Sequence, residues 1–226
     1  MRRFRMMQWT ILAVVLLLGL TACGKAADKS ESPSPSAAGA AEPTASPLQW
    51  SKAPDLTIDK TKAYQAVMET NKGSFTIELF AKDAPETVNS FVFLAEQHYF
   101  DGVPFHRIIE SFMIQTGDPT GTGSGGPGYT LPDELNNGHS YEPGIVAMAN
   151  AGPNTGGSQF FICTGDDSLN LNDPQYANYT IFGKVTEGMD VVKALAATPV
   201  TSTLRGERSA PTEEVKINSV TIQPAN

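Results

Sequence analysis

Cysteine and histidine are the scarcest chemistry-bearing residues in this chain of 226 residues, with two of the first and three of the second. Two cysteines cannot build a disulfide scaffold or a cysteine-only zinc site. Three histidines leave little for a histidine-rich metal centre. Basic charge is short as well: 16 Lys and Arg stand against 24 Asp and Glu, a formal net charge of -8. The basic face that a nucleic-acid binder needs is therefore missing, and no nucleic-acid partner is expected. No apolar run is long enough to span a bilayer, since Ile11–Leu20 with its flanks offers ten to twelve residues where about 20 are needed. No period of 20–50 residues repeats, which argues against a solenoid. What the chain has in quantity is turn formers, 20 Gly and 16 Pro, with 40% hydrophobic residues, enough for a core in part of its length.

Charge divides the chain into three materials. Residues 1–23 hold Arg2, Arg3 and Arg5 and no acid; residues 24–63 hold five bases and five acids; from Tyr64 onward eight bases face 19 acids. The first segment, a basic stretch followed by a short apolar run, has the pattern of a secretory signal. It ends in Leu20-Thr21-Ala22-Cys23, followed by Gly24, which resembles the lipobox of bacterial lipoproteins. That resemblance implies a signal peptide over residues 1–22 and diacylglycerol on the Cys23 thiol. The mature chain would then start at Cys23, outside the cytoplasm, held on the membrane by acyl chains worth roughly 0.8 kcal/mol per buried CH₂. From Lys25 to Pro47, 18 of 23 residues are Ala, Ser, Pro, Gly or Thr. Such a composition cannot bury enough apolar surface to offset its ordering entropy. Residues 23–63 are accordingly expected to be a lipidated cysteine and a disordered tether, spanning on the order of 35 Å.

The third segment, residues 64–223, is one domain by size. Tyr64–Thr70 leads through Asn71-Lys72-Gly73 into Ser74–Phe80, a hairpin signal with alternating Phe75, Ile77 and Leu79. Pro85 suits a first helical turn, and Val88, Phe91, Val92 and Ala95 recur at helical spacing, so the pattern predicts a helix over Ala84–Gln97. Short apolar runs follow at Arg107–Thr116, Gly144–Ala149, Gln159–Thr164 and Thr180–Val185. A second helix is predicted over Met189–Ala197 and a closing strand over Val215–Ile222. Many short strands with two helices favour a mainly β fold, a closed antiparallel barrel, over a parallel sheet.

Three stretches carry chemistry: Phe105-His106-Arg107 through Gly117-Asp118, Met148-Ala149-Asn150 through Phe160-Phe161-Ile162, and Tyr179-Thr180-Ile181-Phe182-Gly183-Lys184-Val185. In order and spacing they closely resemble the cyclophilin family of peptidyl-prolyl cis–trans isomerases, over nearly all of residues 64–223. The resemblance implies an eight-stranded closed antiparallel barrel capped by two α-helices, working as a monomer without metal or cofactor. It implies Arg107 as the catalytic residue and an apolar proline slot lined by Phe112, Met113, Phe161 and Leu171. Gln115 and the backbone of Asn150 would hold the peptide, Ala149 and Ala151 would keep the neighbouring groove open, and Tyr179 would close a pocket wall. His106 would pack or orient. The residue types suit the task, because an always-charged planar donor can favour a twisted amide over either planar ground state.

The chain departs from the family at four places. Asn170 stands where many members have a tryptophan that helps hold cyclosporin, so tight binding of that drug is not expected. Tyr179 replaces a common histidine, Gly156 replaces a common asparagine, and Asp166–Asn178 is longer than the usual turn. Weaker patterns fall away. Gly121–Gly126 satisfies G-x-G-x-x-G, but Pro127 and Gly128 stand where a phosphate-binding helix should open. Ser158 lacks the second glycine of a nucleophile elbow, so a hydrolase of Ser158, His139 and Asp133 is set aside. Cys163 sits in an apolar run as a small hydrophobe. Asn178-Tyr179-Thr180 is a sequon that a bacterial-type lipoprotein signal makes idle. Two readings remain: a membrane-tethered isomerase acting on proline-containing polypeptides being exported, and a proline-segment binding module with little turnover.

Overall fold

The computed structural model describes residues 48–224. The expected signal peptide, Cys23 and the greater part of the expected tether lie outside the described residues. The chain enters the domain through a hairpin of β1 (Tyr64–Thr70) and β2 (Gly73–Leu79), turning at Asn71-Lys72 as the sequence signal predicts. In both strands Ala66, Met68, Phe75 and Ile77 alternate into the core, the period-2 pattern of a half-buried sheet. Helix α1 (Pro85–Glu96) follows with proline in its first turn. Its orphan amides are capped from a distance, Glu86 and Thr87 N–H donating to the two carboxylate oxygens of Glu134 at 3.1 and 2.9 Å.

The run Arg107–Thr116, expected as one apolar stretch, is two strands. It folds into β3 (Arg107–Ile109) and β4 (Met113–Thr116) around Glu110-Ser111-Phe112, where Phe112 N–H donates to Ile109 O at 2.9 Å. After these come β5 (Ile145–Met148), β6 (Phe160–Cys163), β7 (Ile181–Glu187), helix α2 (Met189–Ala196) and β10 (Ile217–Pro224), with an unforeseen small ribbon of β8 (Val200–Ser202) and β9 (Arg208–Pro211) between the last two. A third helix, a 3-10 segment over Asp166–Asn172, also escaped the sequence reading.

Eight strands form one antiparallel sheet in the order β10-β1-β2-β7-β5-β6-β4-β3. The expected closed barrel is not what forms: the sheet is an open, strongly curled half-barrel. Its two edge strands, β10 and β3, do not pair with each other. The edges come together only through the turn before β3, with Gly102 N–H to Ile217 O at 2.8 Å and Phe105 N–H to Val215 O at 2.9 Å, around a lone bridge at Pro104 and Lys216. Pro104 has no N–H with which to extend that ladder. Beyond it, the free edge of β3 runs beside β9 instead.

The sheet separates two apolar clusters. The main core lies under α1 and α2, where Phe91, Phe100, Phe160 and Phe182 are each 0–1% exposed. A second cluster, on the opposite face of the central strands, gathers Met113, Phe161, Cys163 and Leu171 with Tyr141 and Ile181. Segment 48–63, read as the end of the tether, is a strap packed on α1. Asn89, 2% exposed, accepts at Oδ1 from the N–H groups of Thr57 (2.9 Å) and Ile58 (3.3 Å) and donates from Nδ2 to Asp55 O (3.1 Å). Trp50, Ala53 and Ile58 pack against the main core. The strap holds by a buried amide and one indole, with Ala53 and Ile58 adding apolar contact.

Candidate active site

Four neighbouring strands deliver the central residues. Arg107 on β3 stands opposite Gln115 on β4, Gln115 opposite Phe161 on β6, and Phe161 opposite Ala147 on β5. Residues opposite one another across antiparallel strands share a face, so these four side chains form a row, with Met113 one pleat along. The 3-10 helix brings Leu171 to the same cluster, 7% exposed, and Phe112, Ala149 and Tyr179 complete its half-buried rim. Tyr179 stands edge-on to Phe161, ring centroids 5.4 Å apart. Its backbone is clamped by Tyr141, whose hydroxyl donates to Tyr179 O at 2.6 Å and accepts from Tyr179 N–H at 3.1 Å. Burial pushes the Tyr141 hydroxyl up to about 12, so it remains a donor.

Beside this slot lies a groove of about 650 Å³, lined among others by Gln115, Ala149, Asn150, Ala151 and Gln159. Gln115 Nε2 donates to Gln159 Oε1 at 3.0 Å, and Gln159 Nε2 to Gly125 O at 2.9 Å. Asn150 ties its side chain to Asn178 O at 2.7 Å. The groove's glycine-rich rim is folded around Asp118, which accepts from the N–H groups of Thr120, Gly123, Ser124 and Gly125. Burial would raise this carboxyl, but the hydroxyl of Thr120 and these amides outweigh it and hold it below its ordinary value. A side chain at Gly125 would collide with the Asp118 carboxylate, so the G-x-G-x-x-G match is an anion-wrapping turn of the protein's own making.

The guanidinium of Arg107 is held in a fork. Its Nε and Nη2 donate to the two carboxylate oxygens of Glu207 at 2.7 and 2.9 Å, while Nη1 lies 3.5 Å from the Met113 sulfur. Hydrogen bonding by Arg107 keeps the Glu207 carboxyl down at about 2, so the pair is ionised under all ordinary conditions. Glu207 stands on the turn between β8 and β9, where Thr203 N–H donates to Glu207 O at 2.8 Å. The sequence reading missed Glu207. It lies a hundred residues from its partner, outside every short motif.

Other candidates fall into structural places. His106 is largely buried with no protein partner for either ring nitrogen, and desolvation lowers its pKa from the ordinary 6.5; it is a packed neutral ring. Burial raises the Cys163 thiol to about 12, which leaves no thiolate for chemistry. Ser158 is buried, donating to Gly117 O at 2.6 Å, and His139 pairs with Asp83 at 2.9 Å. The pieces of a hydrolase are thus committed elsewhere.

Residues 65–222 match the model of the family described as cyclophilin type peptidyl-prolyl cis-trans isomerase/CLD. The chain is 43% identical over 173 residues to the probable peptidyl-prolyl cis-trans isomerase A of Mycobacterium leprae, covering 70% of this chain and 91% of that protein. It is 43% identical over 159 residues to the peptidyl-prolyl cis-trans isomerase-like 1 of Neurospora crassa, covering 69% and 91%. Among solved structures it resembles a cyclophilin type isomerase of Cryptosporidium parvum, with TM-score 0.62, 33% identity and 73% and 99% of the two chains covered. The same protein crystallised in the presence of the dipeptide Ala-Pro matches with TM-score 0.61 and 34% identity.

Proposed function

The chain belongs to the cyclophilin-type peptidyl-prolyl cis-trans isomerase family and isomerises peptidyl-prolyl bonds, and from that premise we propose that it does so non-covalently, with Arg107 stabilising the twisted amide of a proline seated against Phe112, Met113, Phe161 and Leu171. Rotation about an X–Pro bond meets a barrier of about 18–20 kcal/mol because the amide is conjugated. The two planar states differ by only about 0.5–1 kcal/mol. Twisting breaks the conjugation and leaves a lone pair on the proline nitrogen. A cationic N–H aimed at that lone pair binds the twisted state more strongly than either ground state, which is the condition for catalysis.

The single observation that carries this reading is the fork. With Nε and Nη2 spent on Glu207, the remaining Nη1 edge of Arg107 faces the Met113 side of the slot. Glu207 is therefore a positioning residue. Gln115 and the backbone at Asn150 hold the peptide flanks, and Tyr179 closes the slot in place of the histidine common in the family.

A protease-coupled assay on an X-Pro peptide tests the fork. Glu207→Ala is expected to lower kcat/KM about tenfold, the worth of a charge-assisted hydrogen-bond pair at a half-exposed site. Glu207→Gln should fall between it and the wild type. Because the Glu207 carboxyl is depressed to about 2, the pair's contribution is complete above about pH 4.5, the ordinary value, and is lost only as pH falls through 2. Wild-type kcat/KM should accordingly stay flat from pH 8 to pH 6. An unchanged rate in Glu207→Ala would count against the fork.

The clients, on this reading, are proline-containing polypeptides being exported, and the site of action is outside the cytoplasm beside the membrane, with the enzyme a monomer on its lipid anchor. The basis is the Leu20-Thr21-Ala22-Cys23 sequence and the composition of the spacer after it. Slow X–Pro isomerisation limits folding on a scale of about 10–100 s at 25 °C, and newly exported chains meet that step near the membrane. Metabolic labelling tests the anchor: the wild type should take up labelled palmitate and fractionate with membranes, and Cys23→Ala should lose the label. A labelled Cys23→Ala chain would refute the anchor at this position.

A further inference from the structure

The family match begins at residue 65, yet one residue lining the groove beside the proline slot comes from upstream of it. Gln49, exposed on the strap, lines the same cavity as Gln115, Asn150 and Gln159. Its position is fixed by the next residue. Trp50 N–H donates to Pro127 O at 2.8 Å, and the indole meets Phe93 edge-on at 5.1 Å and Tyr99 at 5.9 Å. Gly128, at φ +90°, lets the Trp50 backbone come so close that a Cβ there would lie 2.6 Å from Trp50 O. Tyr99 continues the connection inward through a 3.1 Å hydrogen bond with Ser158, itself part of the groove. The strap is thus seated on the groove rim by backbone, ring and glycine contacts together.

Among the described residues the groove's lining carries no charged side chain; Gln49 and Thr130 offer an amide and a hydroxyl beside the backbone of the glycine-rich rim, while the side chains of Gln159 and Thr155 are hydrogen-bonded within the groove wall. A charged client side chain would surrender hydration there without a counter-charge. A purely apolar one would leave the groove's donors and acceptors unpaired. An amide or hydroxyl satisfies both requirements. We propose that Gln49, supplied by a segment outside the isomerase module, is a specificity-determining residue that favours clients with an amide or hydroxyl side chain flanking the X–Pro pair. This rests on the isomerase reading and adds to it a substrate preference.

The test uses the full-length chain and its Gln49→Ala variant, an exposed substitution that leaves the core untouched. Paired peptides carry Gln or Gly at each position within two residues of the X–Pro pair. At one position the wild type should turn over the Gln peptide roughly three- to tenfold faster in kcat/KM than the Gly peptide, the scale of one side-chain hydrogen bond. Gln49→Ala should bring that ratio near one while keeping the Gly-peptide rate within about twofold. A wild type with no preference, or a variant that keeps it, overturns the proposal while the isomerase stands. Absence of acceleration for every peptide would instead strike the isomerase reading itself, and the proposal with it.

Discussion

Arg107→Ala lowers kcat/KM for an X-Pro peptide by about 10²–10³, the loss that follows removal of one preorganised donor to charge developing in a transition state. The fold should survive, because Arg107 lies half-buried on an edge strand of three residues and meets the slot cluster at the Met113 sulfur without filling its interior. Arg107→Lys should recover little. A lysine keeps the charge but has no planar fork, so it cannot hold both oxygens of Glu207 and still present a second edge to the slot. Folding checked by circular dichroism and rates by the protease-coupled assay separate the two effects. Equal rates in wild type and Arg107→Ala would keep the isomerase and remove Arg107 from its catalytic role. Peptide binding without turnover in both would favour the proline-segment binding module.

The second large effect is on stability and should leave catalysis per folded molecule alone. Phe91 on α1 is 1% exposed, with Phe100, Phe160 and Phe182 at ring-centroid distances of 5.2, 5.5 and 5.4 Å. Phe91→Ala removes the ring that joins α1 to the sheet and is expected to cost about 3–5 kcal/mol. For a domain of this size each kcal/mol lowers Tm by roughly 2–4 °C. Urea unfolding of wild type and variant measures the cost directly. Because the slot's side chains form the cluster on the opposite face of the sheet, kcat/KM below the new melting range should stay near the wild-type value. A rate loss comparable to that of Arg107→Ala would show that the two faces are coupled.

Local features were legible where a short stretch decides its own geometry. Asn71-Lys72 between alternating strands, Pro85 at a helix start and the α2 pattern all lie where the periodicity puts them. The β3–β4 turn was hidden because Phe112, an apolar residue, occupies the turn and disguises the break between two strands. The β8–β9 ribbon is largely exposed and polar, so it carries little hydrophobic alternation to read. Closure of a barrel depends on whether two edges as far apart in the chain as Arg107–Ile109 and Ile217–Pro224 can pair, which no window of sequence reports; here Pro104 and the short β3 decide against it. The strap follows the same rule. Trp50, Leu56 and Ile58 are readable as apolar residues able to pack on the domain, and of these Trp50 and Ile58 do, but the buried amide of Asn89 and the glycine seat under Trp50 that hold the segment exist only in the fold.

The candidate site shows the same division. Its members on β3, β4 and β6 were named from a familiar order of residues, and the register then gathers Arg107, Gln115 and Phe161 into one row. Leu171 was assigned inside a segment of irregular length, yet the 3-10 helix carries it to the slot cluster. Glu207 and Gln49 could not be found that way. Each reaches the site from a part of the chain with no motif, by contacts that exist only after folding.

Strand β1 lies between β2 and β10, and the partner of Arg107 stands on the ribbon just ahead of β10. During vectorial synthesis, then, a nascent chain carries its slot residues on strands β4 and β6 well before it has either the last strand of its sheet or the carboxylate that aims its guanidinium. The slot and the carboxylate that aims its guanidinium are joined only once that ribbon and β10 have docked, so completing the sheet and completing the site are one event.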